Sequence, residues 1–142
     1  MAVPVFRNPD KFQVLPYRDW LRKNQPQGSQ GYVVEDLDLL VRGYGPRYGT
    51  DAKGRFMECE LKFYPRNIGP AQKRTFGLRD EMMRRGDPDG ERYLGFYVVQ
   101  YDNEDWDLSK FWVNGLPMTR DEFHKFIDLD PDMLDSVPAC KF

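Results

Sequence analysis

Arg55-Phe56-Met57-Glu58-Cys59-Glu60-Leu61-Lys62-Phe63-Tyr64 alternates apolar and polar residues with a period of two. Successive side chains of a β-strand point to opposite faces, so this stretch presents two surfaces. Met57, Cys59, Leu61 and Phe63 make an apolar face, and Glu58, Glu60 and Lys62 a polar one. Upstream, Tyr32 to Arg42 is a second strand candidate. Glu35, Leu37, Leu39 and Val41 share one of its faces, and Val34, Asp36, Asp38 and Leu40 the other. The Gly-rich stretch 43–54 separates the two strands. If they pair antiparallel about it with Asp38 opposite Glu60, Asp36 falls opposite Lys62. Shifts of two residues keep the same faces together.

Downstream, Pro65 to Gly69 break the alternation. A helix is expected over Pro70–Arg85, with Pro70 at its start, Gly86 past its end, and Ala71, Thr75, Phe76, Arg79, Met82 and Met83 at helical spacing. Asp87 to Gly90 read as a turn. Tyr93 to Tyr101, β-branched and aromatic, predicts a central strand with both faces covered. Asn114-Gly115 after Lys110–Val113 signals a two-residue hairpin, and Phe111 and Trp112 beside it read as core, with an exposed contact as the alternative. Thr119 with Glu122 is a capping box opening a helix that buries Phe123, Phe126 and Ile127. The acidic segment after Asp128 reads as a surface tail. Before the strands, residues 1–16 form an irregular arm, Tyr17 to Asn24 a short helix, and 25–31 a polar loop. The order predicts an α/β or α+β fold, a small mixed sheet flanked by helices, in a single domain over 1–142.

The 142 residues include 40% hydrophobic and 15% aromatic side chains, enough for a real core. No apolar run approaches the ~18 residues of a membrane helix, and the first residues lack the pattern of a secretory signal. Two cysteines, Cys59 and Cys140, with the lone His124 argue against a disulfide framework and against structural zinc. These features predict a protein of the reducing cytoplasm. The net charge of −2 conceals a gradient. Residues 62–101 carry eight basic and five acidic residues, whereas 102–142 carry four and ten. That balance excludes a non-specific nucleic-acid coat but leaves room for a local site.

On the expected hairpin, Asp36, Asp38, Glu58 and Glu60 converge with one ammonium, Lys62. Carboxylates this close raise one another's pKa unless a cation sits among them. Oxygen donors at this density suit Mg²⁺ or Mn²⁺, which take one or two carboxylates plus water and phosphate oxygens. A lysine on the same strand face can orient an attacking water. The alternative is the solvated face of an amphipathic hairpin, which four acids and one base would stabilise poorly.

Asp38-Leu39-Leu40-Val41, the Glu60-Leu61-Lys62 triplet and the following helix resemble the PD-(D/E)xK nuclease superfamily over about residues 17–100. Gln72-Lys73-Arg74-Thr75-Phe76 is similar to the Gln-x-x-x-Tyr motif of RecB-type members, with Phe in place of Tyr. The resemblance implies a restriction-endonuclease-like core and Mg²⁺- or Mn²⁺-dependent hydrolysis of DNA. In that scheme Asp38 and Glu60 ligate the ion with the Leu61 carbonyl, Lys62 positions the water, and Gln72 supports the site. Asp36 competes with Asp38 as ligand, no Pro precedes either, and Asp19 is the acid that the first helix offers.

Lys73, Arg74 and Arg47 are candidate phosphate contacts, and Tyr44 and Tyr48 could stack on a strand. His124 and Cys59 read as structural. The size and the lack of a reader module fit an accessory, structure-selective nuclease of the kind a phage encodes, acting in the host cytoplasm, with a homodimer as one option. The second hypothesis is a nuclease-fold binding or assembly module without chemistry, using the aromatic, acidic 102–142 region against a protein partner. The third is an unrelated α+β interaction domain.

Overall fold

The computed structural model describes Lys23, Asn24 and residues 37–142. The expected N-terminal arm, most of the first helix with Asp19, the 25–31 loop, and the start of the first strand with Asp36 lie outside the described residues. Lys23 and Asn24 are helical. The chain divides into two units, Met1–Val34 and Glu35–Phe142, and the sheet belongs to the second.

Five strands form one mixed sheet in sequence order. They are β1 (Leu39–Gly43), β2 (Arg55–Phe63), β3 (Tyr93–Tyr101), β4 (Phe111–Val113) and β5 (Leu116–Met118). β1 and β2 are an antiparallel hairpin, and β2 and β3 run parallel through the helix α1 (Pro70–Gly86). β4 and β5 complete the sheet antiparallel. Two further helices follow, α2 (Arg120–Ile127) and α3 (Pro131–Ser136). The protein is a small α+β fold. No helix among the described residues is long and apolar enough to cross a membrane.

The alternation read from Arg55 to Tyr64 decides what each face packs against. Met57 and Cys59 turn to one side, where Tyr97, Val99, Phe111 and Val113 join Phe123 and Phe126 of α2 in the main core. Phe111 and Phe123 stack face to face at 3.8 Å. The opposite face is thinner. There Ile68 and Phe76 cover Phe96 and Val98, leaving the β1–β2 end of that face to charged residues.

The β3 strand does not alternate simply. Phe56 pairs with Tyr93 but Met57 pairs with Gly95, so Leu94 is an extra residue in a β-bulge. The bulge shifts the phase and places Tyr93 on the same face as Phe96, where its hydroxyl donates to Asp80 of α1 at 2.6 Å. Gly95 adopts φ +126°, and a Cβ there would lie 2.5 Å from that of Ala139.

Two expectations are corrected. The segment after Asp128 is not a surface tail: Leu129 and Val137 are buried in the main core. Asp130 caps α3 by accepting from the Met133 N–H, and the Cys140 N–H donates to the Phe96 carbonyl. The acids face outward while a sparse set of apolar residues anchors the chain, which a count of charges does not show. β1 also starts later than the first strand candidate, at Leu39, and among the described residues Leu37 and Asp38 precede it. The Asn114-Gly115 hairpin and the Thr119/Glu122 capping box form as expected.

Gly95→Ala combines a left-handed backbone conformation with a close approach to Ala139. It should cost about 2–3 kcal/mol of unfolding free energy, measured by urea denaturation against Gly69→Ala, whose Cβ would meet nothing within 4 Å.

Candidate functional site

The register of the hairpin sets the site. Leu39 pairs with Cys59 and Leu40 with Glu58, so one step beyond the ladder Asp38 stands opposite Glu60. The side chain of Asp38 takes over where the strand ends. Its Oδ2 accepts from the Leu61 backbone N–H at 2.8 Å, giving β2 a partner just beyond β1. That bond also holds the Asp38 carboxylate against the Glu60–Leu61 segment.

Glu60 is the hub. It is 5% exposed, on the α1 face of β2. Its Oε1 accepts from Gln72 Nε2 at 3.3 Å and lies 3.8 Å from Lys62 Nζ. Gln72 sits in the first turn of α1, and its own Oε1 accepts from the Gly69 N–H, so one amide both caps the helix and holds Glu60. Oε2 of Glu60 is buried with no hydrogen-bond partner. Burial and the neighbouring Asp38 carboxylate push the Glu60 pKa up to about 7, against the pull of Lys62. Asp38 from the segment before β1, Glu60 and Lys62 from β2, and Gln72 from α1 thus meet around one carboxylate.

The remaining sequence-derived residues are placed differently. Glu58, on the same face as Glu60, is completely buried and accepts from Arg79 Nε at 2.9 Å through both oxygens. Its expected role as a metal ligand is therefore taken by an ion pair to α1, because a fully buried carboxylate needs a paired charge. Arg47 is not with the site. The hairpin loop lies at the other end of β1, about 17 Å along five residues from Asp38, and Arg47 and Tyr48 both bind the Asp128 carboxylate at 2.8 Å. Lys73 and Arg74 follow Gln72 on α1, are exposed, and form no ion pair among the described residues. Lys73 lines a cavity of about 390 Å³ with Ile68, Val98, Asn114 and Cys140. Val98 is the register partner of Glu60, so this cavity lies one strand from the hub. His124 is exposed on α2, and Cys59 is buried with its thiol pushed up to about 12 by burial.

Sequence reasoning missed one neighbour of the site. Tyr64 and Trp112 stack at 3.9 Å and 14° on the face that carries Lys62. Trp112 is therefore not in the core beside Phe111. The period of two within β4 sends the neighbouring residues to opposite faces, a signal available in the sequence once β4 is recognised as a strand.

No protein-family model, no curated protein and no solved structure matches the chain. The geometry around Glu60 is the guide to function.

Two outcomes test that geometry. Without metal, the folded chain holds a proton on Glu60 that the unfolded chain releases near pH 4.5. The associated stability is complete below that pH and is lost as pH rises through about 7. Glu60→Gln, whose amide mimics the protonated carboxyl, should therefore stabilise the protein by roughly 1 to 2 kcal/mol at pH 8, after solvent screening, and leave it nearly unchanged at pH 4. Urea titrations in EDTA read this directly, and an equal effect at both pH values would remove the charge penalty assigned to Glu60. Arg79→Met leaves Glu58 buried without its partner and should cost about 2–3 kcal/mol by the same titrations.

Proposed function

We propose that the chain is a metal-dependent nuclease that hydrolyses DNA phosphodiester bonds, with β1, β2, α1 and β3 as a restriction-endonuclease-like core. The observation that carries this is the meeting of Asp38, Glu60, Lys62 and Gln72 around one buried, under-satisfied carboxylate. A hairpin face serving only solubility would put its charges in water and pair them by sign. Here a carboxylate sits buried beside a second one, and one of its oxygens lacks a donor.

The donor set fits a hard divalent ion. Two carboxylates, Asp38 and Glu60, are the number that Mg²⁺ takes while keeping water and phosphate oxygens. Among the described residues no group of three or more His, Cys, Asp or Glu side chains could hold a metal ion, so the ion would rest on these two carboxylates, water and phosphate oxygens. Asp38 and Glu60 would hold the ion, aided by the Leu61 carbonyl. A bound Mg²⁺ or Mn²⁺ would neutralise charge building on the phosphate oxygens and acidify a water.

The chain's own groups do the rest. Lys62 Nζ, beside Glu60, orients the attacking water by hydrogen bonding. Gln72 fixes the rotamer of Glu60. Lys73 and Arg74, one and two residues on, face the solvent where phosphates flanking the cut would lie. The water oxygen joins phosphorus, one bridging P–O bond breaks, and the products are a phosphate monoester and a free hydroxyl.

Cleavage of linear, single-stranded and branched DNA with Mg²⁺ or Mn²⁺ should be present in the native chain. It should fall by about 10²-fold or more in Lys62→Ala and Glu60→Ala. Mn²⁺ uptake by calorimetry should vanish in Glu60→Ala and persist in Lys62→Ala. DNA binding with neither cleavage nor Mn²⁺ uptake would overturn the nuclease in favour of a binding module on the same scaffold, a role for which the withdrawal of Glu58 into an ion pair is the supporting observation.

A further inference from the structure

The Tyr64–Trp112 stack has no evident structural duty that requires its exposure. Lys62 pairs with Gln100, and Gln100 with Trp112, so the three lie on one row across the sheet and share a face. Two strand spacings of about 4.8 Å separate Lys62 from Trp112. Tyr64 follows Lys62 by two residues and reaches across the row to lie flat on the Trp112 indole. Beneath the pair, Gln100 is 6% exposed and donates to the Arg66 carbonyl. Tyr64 itself remains 42% exposed. The structure thus holds a flat, fixed aromatic surface open to solvent beside Lys62.

Two cations flank the stack along the chain. Arg66 lies two residues after Tyr64 and Lys110 two before Trp112. Both are exposed and make no ion pair among the described residues. The acidic loop 102–107 begins at the same end of the sheet, where Asp102 accepts from the Lys110 backbone N–H at 2.8 Å, and then turns to the opposite face. There Trp106 packs on Tyr101, Phe111 and Phe123. A π-surface rimmed by unpaired cations suits an unpaired nucleobase, whose ring stacks while its phosphates meet the cations. A duplex keeps its interior bases stacked on one another and offers none of them to a side chain.

We propose that Tyr64 and Trp112 form a shelf for an unpaired base next to the scissile phosphate, so that the substrate is single-stranded DNA or the single-stranded part of a branched molecule. This rests on the nuclease assignment for the word substrate, but its binding test does not. Fluorescence anisotropy in EDTA should show the native chain binding a labelled single-stranded 12-mer. Tyr64→Ala should weaken that binding about tenfold, the loss of one stacked base. Tyr64→Phe, which keeps the ring, should bind like the native chain, and affinity for a blunt duplex should not change in either variant. The thermal melt of each variant checks folding, and the exposed position of Tyr64 makes a loss of fold unexpected. Single-stranded binding that is absent in the native chain, unchanged in Tyr64→Ala, or lost equally for duplex would overturn the shelf. Tyr64-dependent binding without metal-dependent cleavage would keep the shelf and sink the nuclease. Cleavage indifferent to Tyr64→Ala would do the reverse.

Discussion

Glu58 and Glu60 point from an interior strand into the same covered face, two residues apart, and both are buried. A buried carboxylate must be paired, hydrogen-bonded or protonated. How these two are treated organises that side of the molecule. Arg79 reaches from the middle of α1 to neutralise Glu58, and Gln72 reaches from its first turn to Glu60. The two contacts are spaced by two helical turns on one end and one strand repeat on the other. They fix the height and rotation of α1 over the sheet, where the small apolar cluster of Ile68, Phe76, Phe96 and Val98 alone would leave more freedom. The two acids then differ in fate. Glu58 receives one guanidinium Nε–H shared between its two oxygens, while Glu60 receives an amide, a more distant ammonium and a second carboxylate.

That asymmetry separates scaffold from chemistry. A buried carboxylate with both oxygens on an arginine N–H is charge-paired and has little left to give a ligand. One that is crowded by Asp38 and left with an unpartnered oxygen costs folding free energy, and such costs persist where a site needs them. The opposite face shows none of this tension. Its aromatic residues interlock from Tyr97 through Phe126 and Phe123 to Phe111 and Trp106, and they carry the bulk of the burial. One side of the sheet supplies stability and the other bears the charged groups.

Several links between these features were legible in the residues alone. The alternation at Arg55–Tyr64 assigns faces without any coordinates, and pairing Asp38 with Glu60 follows from the hairpin once a register is chosen. The observed ladder keeps that register. The Pro70 start, the Asn114-Gly115 turn and the Thr119/Glu122 cap are local chemistry and emerge as read, while the helix runs one residue further than expected, through Gly86 to its C-cap Asp87. Three features were not legible. Asp130, Leu129 and Val137 turn an acidic stretch into a packed helix, because a few anchors outweigh many exposed charges. Arg47 belongs to Asp128, a partner 81 positions away. The bulge at Leu94 shifts the phase of β3, and the positive φ of Gly95 together with the close approach of Ala139 explains why a glycine stands there.

By itself, the sequence determined the strand faces, most of the helix limits and the placing of Asp38, Glu60 and Lys62 on one face. These depend on period and on contacts within a few residues, where the chain has little choice. Tertiary structure alone decided which of the acids are spent. Arg79 and Glu58 are equally plausible surface residues in the sequence, and their pairing requires α1 to lie across β2. The same packing leaves Glu60 beside Asp38 and sends Trp112 over Gln100 to meet Tyr64. Burial sets the energy of a charge, and burial is a property of what the rest of the chain covers.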